Sequence, residues 1–297
     1  MVEKFDIDVS LASRLITSQF PQWTHLPIRP VEPGGWDNKT FHLGDNLSIR
    51  LPSAKQYAAQ VGKEHLWLPK LAPQLPLPIP IPVAMGKPDM NYPWHWSVYQ
   101  WLDGENASID NIANLPLFAN TLAQFLSALQ EINSATAPAP GKHNFFRGGA
   151  LATYDRETRD SIAALHDKID SEAATAVWES ALETKWNKTP VWLHGDMAAS
   201  NMLVKDGDLC AVIDFGCSGV GDPACDLTIA WTLFSGESRK AFRAALPLDN
   251  ATWARARGWA LWKGLVTLVR LANSDPSVAD SSRQVIEEVF TEHFKGA

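Results

Sequence analysis

The most constraining feature of the sequence is a set of polar residues placed around one predicted β-hairpin. His194-Gly195-Asp196 follows a short apolar run, and Asn201 comes five residues after Asp196. Two further apolar runs are joined by Asp206-Gly207, a dipeptide typical of tight hairpin turns, and Asp214 follows the second run. Because a hairpin brings its two ends together, Asn201 and Asp214 are predicted to lie side by side, with Asp196 nearby.

The oxygen atoms of this set point to a particular kind of ligand. A carboxylate and an amide oxygen close together, with another carboxylate nearby, form a site for a hard cation. Magnesium binds through few protein oxygens where phosphates supply the remaining ligands. The alternative is that Asp196, Asn201 and Asp214 are polar turn residues beside a hairpin. Their combined spacing favours a site with chemistry.

The same residues belong to a longer pattern. The segments H-G-D-x-x-x-x-N at 194–201, I-D-F-G at 213–216 and G-D-P-x-x-D-L at 221–227 resemble the aminoglycoside phosphotransferase and choline-kinase-like family. That family shares the protein-kinase fold. The resemblance covers residues from Gly34 to Asp226, and extends more weakly to the C-terminus.

The fold implied by this resemblance is α+β and bilobal, as in protein kinases. A small β-rich N-terminal lobe, residues 1–102, would bind the nucleotide and end at a hinge strand. A larger, mainly helical C-terminal lobe, residues 103–297, would carry the catalytic loop and the acceptor site.

The resemblance also implies roles for the central motif. Asp196 would accept or orient the proton of the substrate hydroxyl, as the catalytic residue. Asn201 and Asp214 would hold Mg²⁺ on the phosphates of ATP or GTP. His194 would brace the loop, and Asp222 and Asp226 would cap a helix and tie it to the loop.

In the N-terminal lobe, Gly34 and Gly35 occupy the place of the loop that covers the nucleotide, although a plain β-turn would also explain them. Arg50 stands where a kinase has its phosphate-contacting lysine. Arginine keeps the charge of lysine but not its compact geometry. Glu64 resembles the ion-pair partner of that residue, with a solvated helix face as the alternative.

The segment Tyr99-Gln100-Trp101-Leu102 resembles the hinge strand. The backbone of Gln100, Trp101 and Leu102 would then bind the edge of the purine. Backbone groups at this position do not choose between ATP and GTP, so both remain candidate phosphate donors.

The pattern of apolar residues agrees with two lobes. Period and turn signals predict helices at 8–20 and 54–72 and short strands at 40–43, 47–51 and 97–102. The proline-rich segment 75–88 is predicted to be an extended linker, because proline removes backbone donors and fixes φ. From residue 112 the pattern is mainly helical, except for a β-rich segment at 191–214.

Composition and charge exclude several classes of protein. With 45% hydrophobic and 20% charged residues, the chain is neither disordered nor fibrous. A formal net charge of −7 disfavours general nucleic-acid binding and would tolerate a cationic small molecule.

The sequence also predicts the surroundings of the protein. The first residues contain no apolar signal-peptide core, and no stretch is predicted to span a membrane. The three cysteines, Cys210, Cys217 and Cys225, form no C-x-x-C pair and are predicted to be buried free thiols. We therefore expect a cytoplasmic protein with no membrane partner.

The acceptor is the least determined part of the prediction. An aminoglycoside is one candidate, with Asp222 and Glu237 as acidic residues that would hold a polycation. Choline, homoserine, a sugar-like compound or a macrolide are alternatives, and a non-catalytic nucleotide-binding module is a third class. Most of the 13 tryptophans are expected in the core. Trp253, Trp259 and Trp262 fall on a predicted C-terminal helix, with Trp231 upstream, and some of the tryptophans could form the floor of a substrate pocket.

Overall fold

The protein is described here by a computed structural model, in which residues 5–32, 34–271 and 274–295 are described. Its N-terminal part is built on one five-stranded antiparallel sheet with the strand order β1-β2-β3-β5-β4. The strands are β1 Ile28–Pro30, β2 Asn38–Leu43, β3 Leu47–Pro52, β4 Pro82–Gly86 and β5 Trp96–Gln100.

Two helices accompany this sheet, α1 Val9–Gln19 and α2 Lys55–Leu71. The first helix begins after Asp8, whose carboxylate accepts a hydrogen bond from the Leu11 N–H at 2.7 Å. The apolar face of α1 packs on the sheet, where it shares a buried cluster with Phe41, Ile49 and Trp96.

The rest of the chain is mainly helical and confirms the predicted α+β, protein-kinase-like architecture. Its helices are α3 Leu115–Glu131, α4 Asp155–Ala164, α5 Ser171–Leu182, α6 Ile229–Thr232, α7 Gly236–Ala245, α8 Asn250–Leu271 and α9 Pro276–Lys295. Short strands lie between them, namely β6 Glu105–Asn106, β7 Val191–Leu193, β8 Met202–Lys205, β9 Asp208–Val212 and β10 Gly219–Gly221. The helix α8 is buried along most of its length and is the centre of the core.

The predicted hairpin is present as β8 and β9, paired in antiparallel register from Met202↔Val212 to Lys205↔Asp208. Asp206 and Gly207 form its turn with φ of 55° and 87°, a left-handed pair that an aspartate and a glycine tolerate. At the open end, the Ile213 N–H donates to the Asn201 carbonyl at 2.9 Å. This bond holds the two ends of the hairpin together.

The proline-rich segment differs from the prediction. Its second half is not a free linker, because Pro82–Gly86 forms β4 and pairs with β5. This strand lies at the edge of the sheet, so one of its sides has no neighbouring strand. A proline there can lack its N–H without removing a hydrogen bond between strands. Strand β5 is also shifted, since it begins at Trp96 and ends at Gln100 rather than at Leu102.

The predicted boundary after residue 102 lies just past the end of β5, but the hydrophobic core is not divided there. Leu68, Leu71, Ile79 and Tyr99 belong to the large cluster that fills the helical part. The end of α2 and the start of the hinge are therefore anchored in the C-terminal core.

Two further findings concern the surroundings of the protein. In the described ranges, none of the helices has the length and apolar character required to cross a membrane. The three cysteines are free thiols, of which Cys217 and Cys225 are buried and Cys210 is half-buried.

Candidate active site

The loop that carries Asp196 connects β7 to β8 and is held by a buried carboxylate. Asp226 accepts hydrogen bonds from the His194 and Gly195 N–H groups, both at 2.7 Å. Gly195 has a φ of 85°, and a Cβ atom there would lie 2.3 Å from the Cys217 carbonyl oxygen. Only glycine fits at this position, which fixes the direction in which Asp196 leaves the loop.

His194 connects this loop to the end of the hairpin. Its ring Nε2 donates to the Ile213 carbonyl at 2.9 Å, and its Nδ1 accepts from the Asp196 N–H at 3.3 Å. One neutral tautomer of the ring satisfies both bonds. His194 is fully buried, and its two hydrogen bonds hold the loop against the end of the hairpin.

The residues that follow the hairpin anchor the loop to the helical core. The Asp222 carboxylate accepts from the Ala224 N–H at 3.2 Å and pairs with Arg255 of α8 at 2.6 Å. Both charged side chains are buried, so losing either partner would leave an unpaired charge in the core.

The three polar residues of the predicted hairpin site lie together. The Asn201 side-chain nitrogen donates to the Asp196 carbonyl at 2.8 Å, and the amide oxygen has no hydrogen-bond partner among the described contacts. Asp214 stands at the end of the hairpin with a φ of 64°, and its side chain is 37% exposed. The amide and carboxylate oxygens fit Mg²⁺, which prefers hard oxygen ligands.

The same donor set does not form a complete metal cage. Within the part of the chain that the structure describes, no three His, Cys, Asp or Glu side chains form a cluster able to hold a metal ion. Two protein ligands are sufficient for Mg²⁺ when the phosphates of a nucleotide supply others.

Arg50 links the sheet to this site. Its guanidinium lies 3.5 Å from Glu64 of α2 and 3.1 Å from Asp214. Burial alone disfavours the charged guanidinium, but these two carboxylates outweigh it and raise the pKa of Arg50. The Tyr99 hydroxyl also donates to Glu64, so the predicted partner of Arg50 is held inside the protein rather than on a solvated face.

The predicted nucleotide-covering loop lies between β1 and β2, with Gly34 and Gly35 exposed. Its other end brings Asp37 towards the candidate cation site. Burial, the charge of Asp214 and, less strongly, that of Asp196 raise the pKa of Asp37 to about 6. The loop therefore adds a carboxylate to a region that is already negative.

The predicted hinge follows β5. The Gln100 N–H donates to the Ile81 carbonyl at 3.0 Å, and the Trp101 N–H donates to the Asn46 carbonyl at 2.9 Å. Neither amide is available to a ligand in this arrangement. Among the described contacts, the Leu102 N–H has no hydrogen-bond partner, so it is the hinge donor that remains.

A small open recess, called the pocket below, lies beside Asp196 on the side of the helical core. Trp259, Trp262 and Lys263 of α8 line it, together with Arg147 from the segment before α4. The Lys263 ammonium lies 3.0 Å from the Asp196 carboxylate. Burial alone raises the pKa of Asp196, but Lys263, Arg147 and His194 together lower it below its ordinary value.

Sequence reasoning did not place Arg147 and Lys263 beside Asp196. No motif surrounds Arg147, and Lys263 reads only as a charge that interrupts an apolar stretch. The available signal was the spacing of Lys263, which is four residues after Trp259 and therefore on the same face of a helix.

The acidic residues expected to hold a polycation do not line this pocket. Asp222 is buried against Arg255, and Glu237 is an exposed residue of α7 whose carboxylate lies 2.8 Å from Lys240. Asp222 is therefore not available to a cationic acceptor, whereas the role of Glu237 stays a prediction. Net charge does not show where a carboxylate lies or what already neutralises it.

Lys63 of α2 is a third residue that sequence reasoning did not place near the site. Its ammonium donates to the Gly216 and Ser218 carbonyls at 2.6 and 2.8 Å. Burial lowers the pKa of Lys63 to about 8. These bonds tie α2 to the loop that follows Asp214.

Comparison with known families identifies the class. Residues 28–259 match the family described as the phosphotransferase enzyme family. This match spans more than half of the chain, so the chain belongs to that family and is a phosphotransferase, as the motifs predicted. A comparison with curated proteins finds no matching sequence.

Solved structures show the same fold. The chain is similar to a variant of aminoglycoside 2'-phosphotransferase IIIa bound to GDP, with a TM-score of 0.74 and 19% identity, covering 97% of this chain and 99% of that one. It is also similar to APH(2'')-IIa in a complex with streptomycin and ATP, with a TM-score of 0.62 and 17% identity, covering 96% and 99%. The apoenzyme of macrolide 2'-phosphotransferase MphH from Brachybacterium faecium gives a TM-score of 0.58 and 19% identity, covering 94% and 97%.

Proposed function

We propose that this phosphotransferase moves the γ-phosphate of ATP or GTP to a hydroxyl group of a small molecule. The observation that carries the proposal is the meeting of Asp196, Asn201 and Asp214 at one end of the hairpin, with Arg50 paired to Asp214. A base, two hard oxygen ligands and a fixed cation are the groups that phosphoryl transfer to an alcohol requires.

Asp196 accepts or orients the proton of the acceptor hydroxyl. The hydroxyl oxygen forms a bond to the γ-phosphorus, the bond from that phosphorus to the β–γ bridging oxygen breaks, and the nucleoside diphosphate leaves. The neighbouring cations lower the pKa of Asp196, so its carboxylate is charged and can accept a hydrogen bond that orients the hydroxyl. A positioned base of this kind contributes roughly 10²- to 10⁴-fold to the rate.

Asn201 and Asp214 are the residues that would hold Mg²⁺. The cation, when bound, neutralises the charge of the nucleotide phosphates. Arg50 adds a fixed positive charge from the sheet, and Glu64 keeps its guanidinium in place. Positioning and charge stabilisation are therefore the main contributions of the protein.

The donor nucleotide would lie between the sheet and the hairpin. Solved structures of similar fold contain GDP in one case and ATP in another, which supports a purine nucleotide as donor. The Leu102 N–H is the hinge donor that we assign to the purine edge. Gly34 and Gly35 would let the covering loop approach the phosphates.

The similar structures also suggest acceptors to test. These structures are an aminoglycoside phosphotransferase, a phosphotransferase in complex with streptomycin, and a macrolide phosphotransferase. We propose that the enzyme acts in the cytoplasm on a small molecule, with neither nucleic acid nor membrane as a partner. Free thiols and the net charge of −7 support this view.

The test is turnover of ATP and GTP with Mg²⁺ in the presence of streptomycin, erythromycin, choline, homoserine and simple sugars. We expect consumption of nucleotide that depends on the acceptor. Changing Asp196→Asn is expected to lower kcat at least about 10²-fold while nucleotide KM changes little, because the base acts on the hydroxyl.

Asp208→Asn is the matched control, since Asp208 is an exposed carboxylate in the same hairpin. It should retain the kcat of the unchanged protein. An Asp196→Asn protein with full turnover would show that the mechanism is wrong.

A further inference from the structure

The pocket beside Asp196 has a charge opposite to that of the whole chain. Two cations, Arg147 and Lys263, line it, and Asp196 is the only carboxylate among its described lining residues. The chain as a whole carries −7. A local excess of positive charge in an acidic protein needs an explanation in terms of what the pocket binds.

Both cations are held in place by the structure. The Arg147 guanidinium lies 4.8 Å from the centre of the Trp262 ring and 5.2 Å from that of Trp259. Its Nη1 is also 3.4 Å from the Tyr154 hydroxyl. Lys263 follows Trp262 on α8 and pairs with Asp196. Aromatic faces thus fix one cation, and the base of the reaction holds the other.

The Glu157 carboxylate, which lies near this pocket, is already paired. Glu157 lies 2.8 Å from Arg270, and it accepts a hydrogen bond from the Trp262 indole at 3.0 Å. No carboxylate remains to pair with Arg147 among its described contacts, which are aromatic rings and a hydroxyl. An incoming anion would supply the missing partner.

We propose that the acceptor is a hydroxyl compound that also carries an anionic group, a carboxylate or a phosphate monoester, bound by Arg147 and Lys263. This proposal rests on the proposed function, because the hydroxyl must lie at Asp196. The anion competes for Lys263 and so releases an Asp196 oxygen for the hydroxyl. Trp259 and Trp262 are buried against Arg147, so they hold its guanidinium in place and leave the contact with the acceptor to Arg147 and Lys263.

A polycationic acceptor does not fit this pocket. It would meet two fixed cations before it reached Asp196, and like charges brought together out of water repel strongly. The proposal therefore separates this chain from aminoglycoside-modifying enzymes in its choice of acceptor, although the folds are similar.

The test compares sugars that share one skeleton and differ in charge: glucuronate, glucose 6-phosphate, glucose and glucosamine. Their affinities for the full chain are measured by tryptophan fluorescence and calorimetry. We expect glucuronate or glucose 6-phosphate to bind about tenfold or more tightly than glucose, since a charged hydrogen bond is worth at least that factor. Glucosamine should bind more weakly than glucose. The two anions separate a carboxylate from a phosphate preference.

Arg147→Gln and Lys263→Gln should each remove the preference for the anion. Arg147→Lys, which keeps the charge, should retain most of it. Arg156→Gln and Lys240→Gln are matched controls, because both side chains are exposed and paired elsewhere on the surface. Equal affinities for the four sugars, or an anion preference that survives both Gln variants, would overturn the proposal.

The same samples are titrated with ATP and GTP in the presence of Mg²⁺. Nucleotide binding without any anion preference contradicts this inference alone, whereas a protein that binds no nucleotide contradicts the proposed function first. If Lys263→Gln weakens nucleotide binding and leaves the sugar affinities unchanged, Lys263 serves the γ-phosphate, and the proposed acceptor site is wrong.

Discussion

Charge pairing between single residues determines the electrostatics of the site. Lys263 lowers the pKa of Asp196 despite the burial of its carboxylate. Burial and the charge of Asp214 together raise the pKa of Asp37 to about 6. Two carboxylates in one site thus have opposite shifts, and the difference is whether a cation lies against them. The ionised Asp196 is the one suited to accept a proton.

The raised pKa of Asp37 makes a prediction about stability. The folded protein binds more protons than the unfolded chain between about pH 4 and pH 6, so this residue makes stability fall as pH rises through that range. Above pH 6, the ionised carboxylate of Asp37 destabilises the folded protein. In EDTA at pH 7, Asp37→Asn should therefore raise the free energy of unfolding by up to about 3 kcal/mol.

Urea denaturation of the free protein at several pH values measures this effect. The gain from Asp37→Asn should shrink towards zero below about pH 4, where both states are protonated. Asp45→Asn serves as the control, because Asp45 is exposed in the β2–β3 turn. A gain that is the same at pH 4 and pH 7 would mean that the charge of Asp37 is not its cause.

Contacts between elements decide where the site residues lie. Helix α2 carries Glu64 towards Arg50 and Lys63 towards the loop after Asp214. One turn of helix thus contacts both Arg50 and the loop that follows Asp214. The sheet and the hairpin meet in the site because α2 contacts both of them.

Removing this link gives a prediction at the same scale. Lys63→Met leaves the Gly216 and Ser218 carbonyls without their donor, at a cost of about 1–3 kcal/mol of stability. The loop that holds Asp214 becomes less fixed, so the affinity for Mg²⁺ and nucleotide should fall. Calorimetric titration and urea denaturation measure the two effects.

Lys55→Met is the matched control, since Lys55 is an exposed residue at the start of the same helix. Nucleotide affinity in Lys63→Met equal to that of this control would show that α2 does not position Asp214 through Lys63.

The elements also show what sequence reasoning reached. The helices α1 and α2 and the hairpin β8–β9 were predicted because apolar spacing and a turn dipeptide are local signals. The strand β10, Gly219–Gly221, was missed because three residues with two glycines show no alternation. The strand β4 was missed because prolines usually exclude strands, and only its place at a sheet edge permits it.

The candidate site divides in the same way. Asp196, Asn201 and Asp214 lie within one short stretch, so motif spacing alone predicted that they meet. Arg147 and Lys263 come from distant segments without a motif, and only tertiary packing against Trp259 and Trp262 brings them to Asp196. The residues proposed for catalysis and Mg²⁺ binding were therefore accessible from the sequence, and those proposed to bind the acceptor were not.

At the scale of the whole molecule, the acidic surface and the basic pocket have separate roles. Net charge describes the chain in solution, whereas the ligand responds to the charges within a few ångströms of it. One large core joins α2 and Tyr99 to the helical part, so it fixes the sheet relative to the helices. Phosphoryl transfer needs this rigidity, because the reacting atoms of nucleotide and acceptor must stay in line.

The most direct test of the central claim is calorimetric titration of ATP and GTP with Mg²⁺ and with EDTA. The unchanged protein should bind nucleotide in a Mg²⁺-dependent manner. Asp214→Asn should weaken this binding about tenfold or more, because it removes a charged ligand, whereas Asp196→Asn should leave it nearly unchanged. Nucleotide binding that ignores Mg²⁺, or that is equally tight in Asp214→Asn, would contradict the assignment of this site.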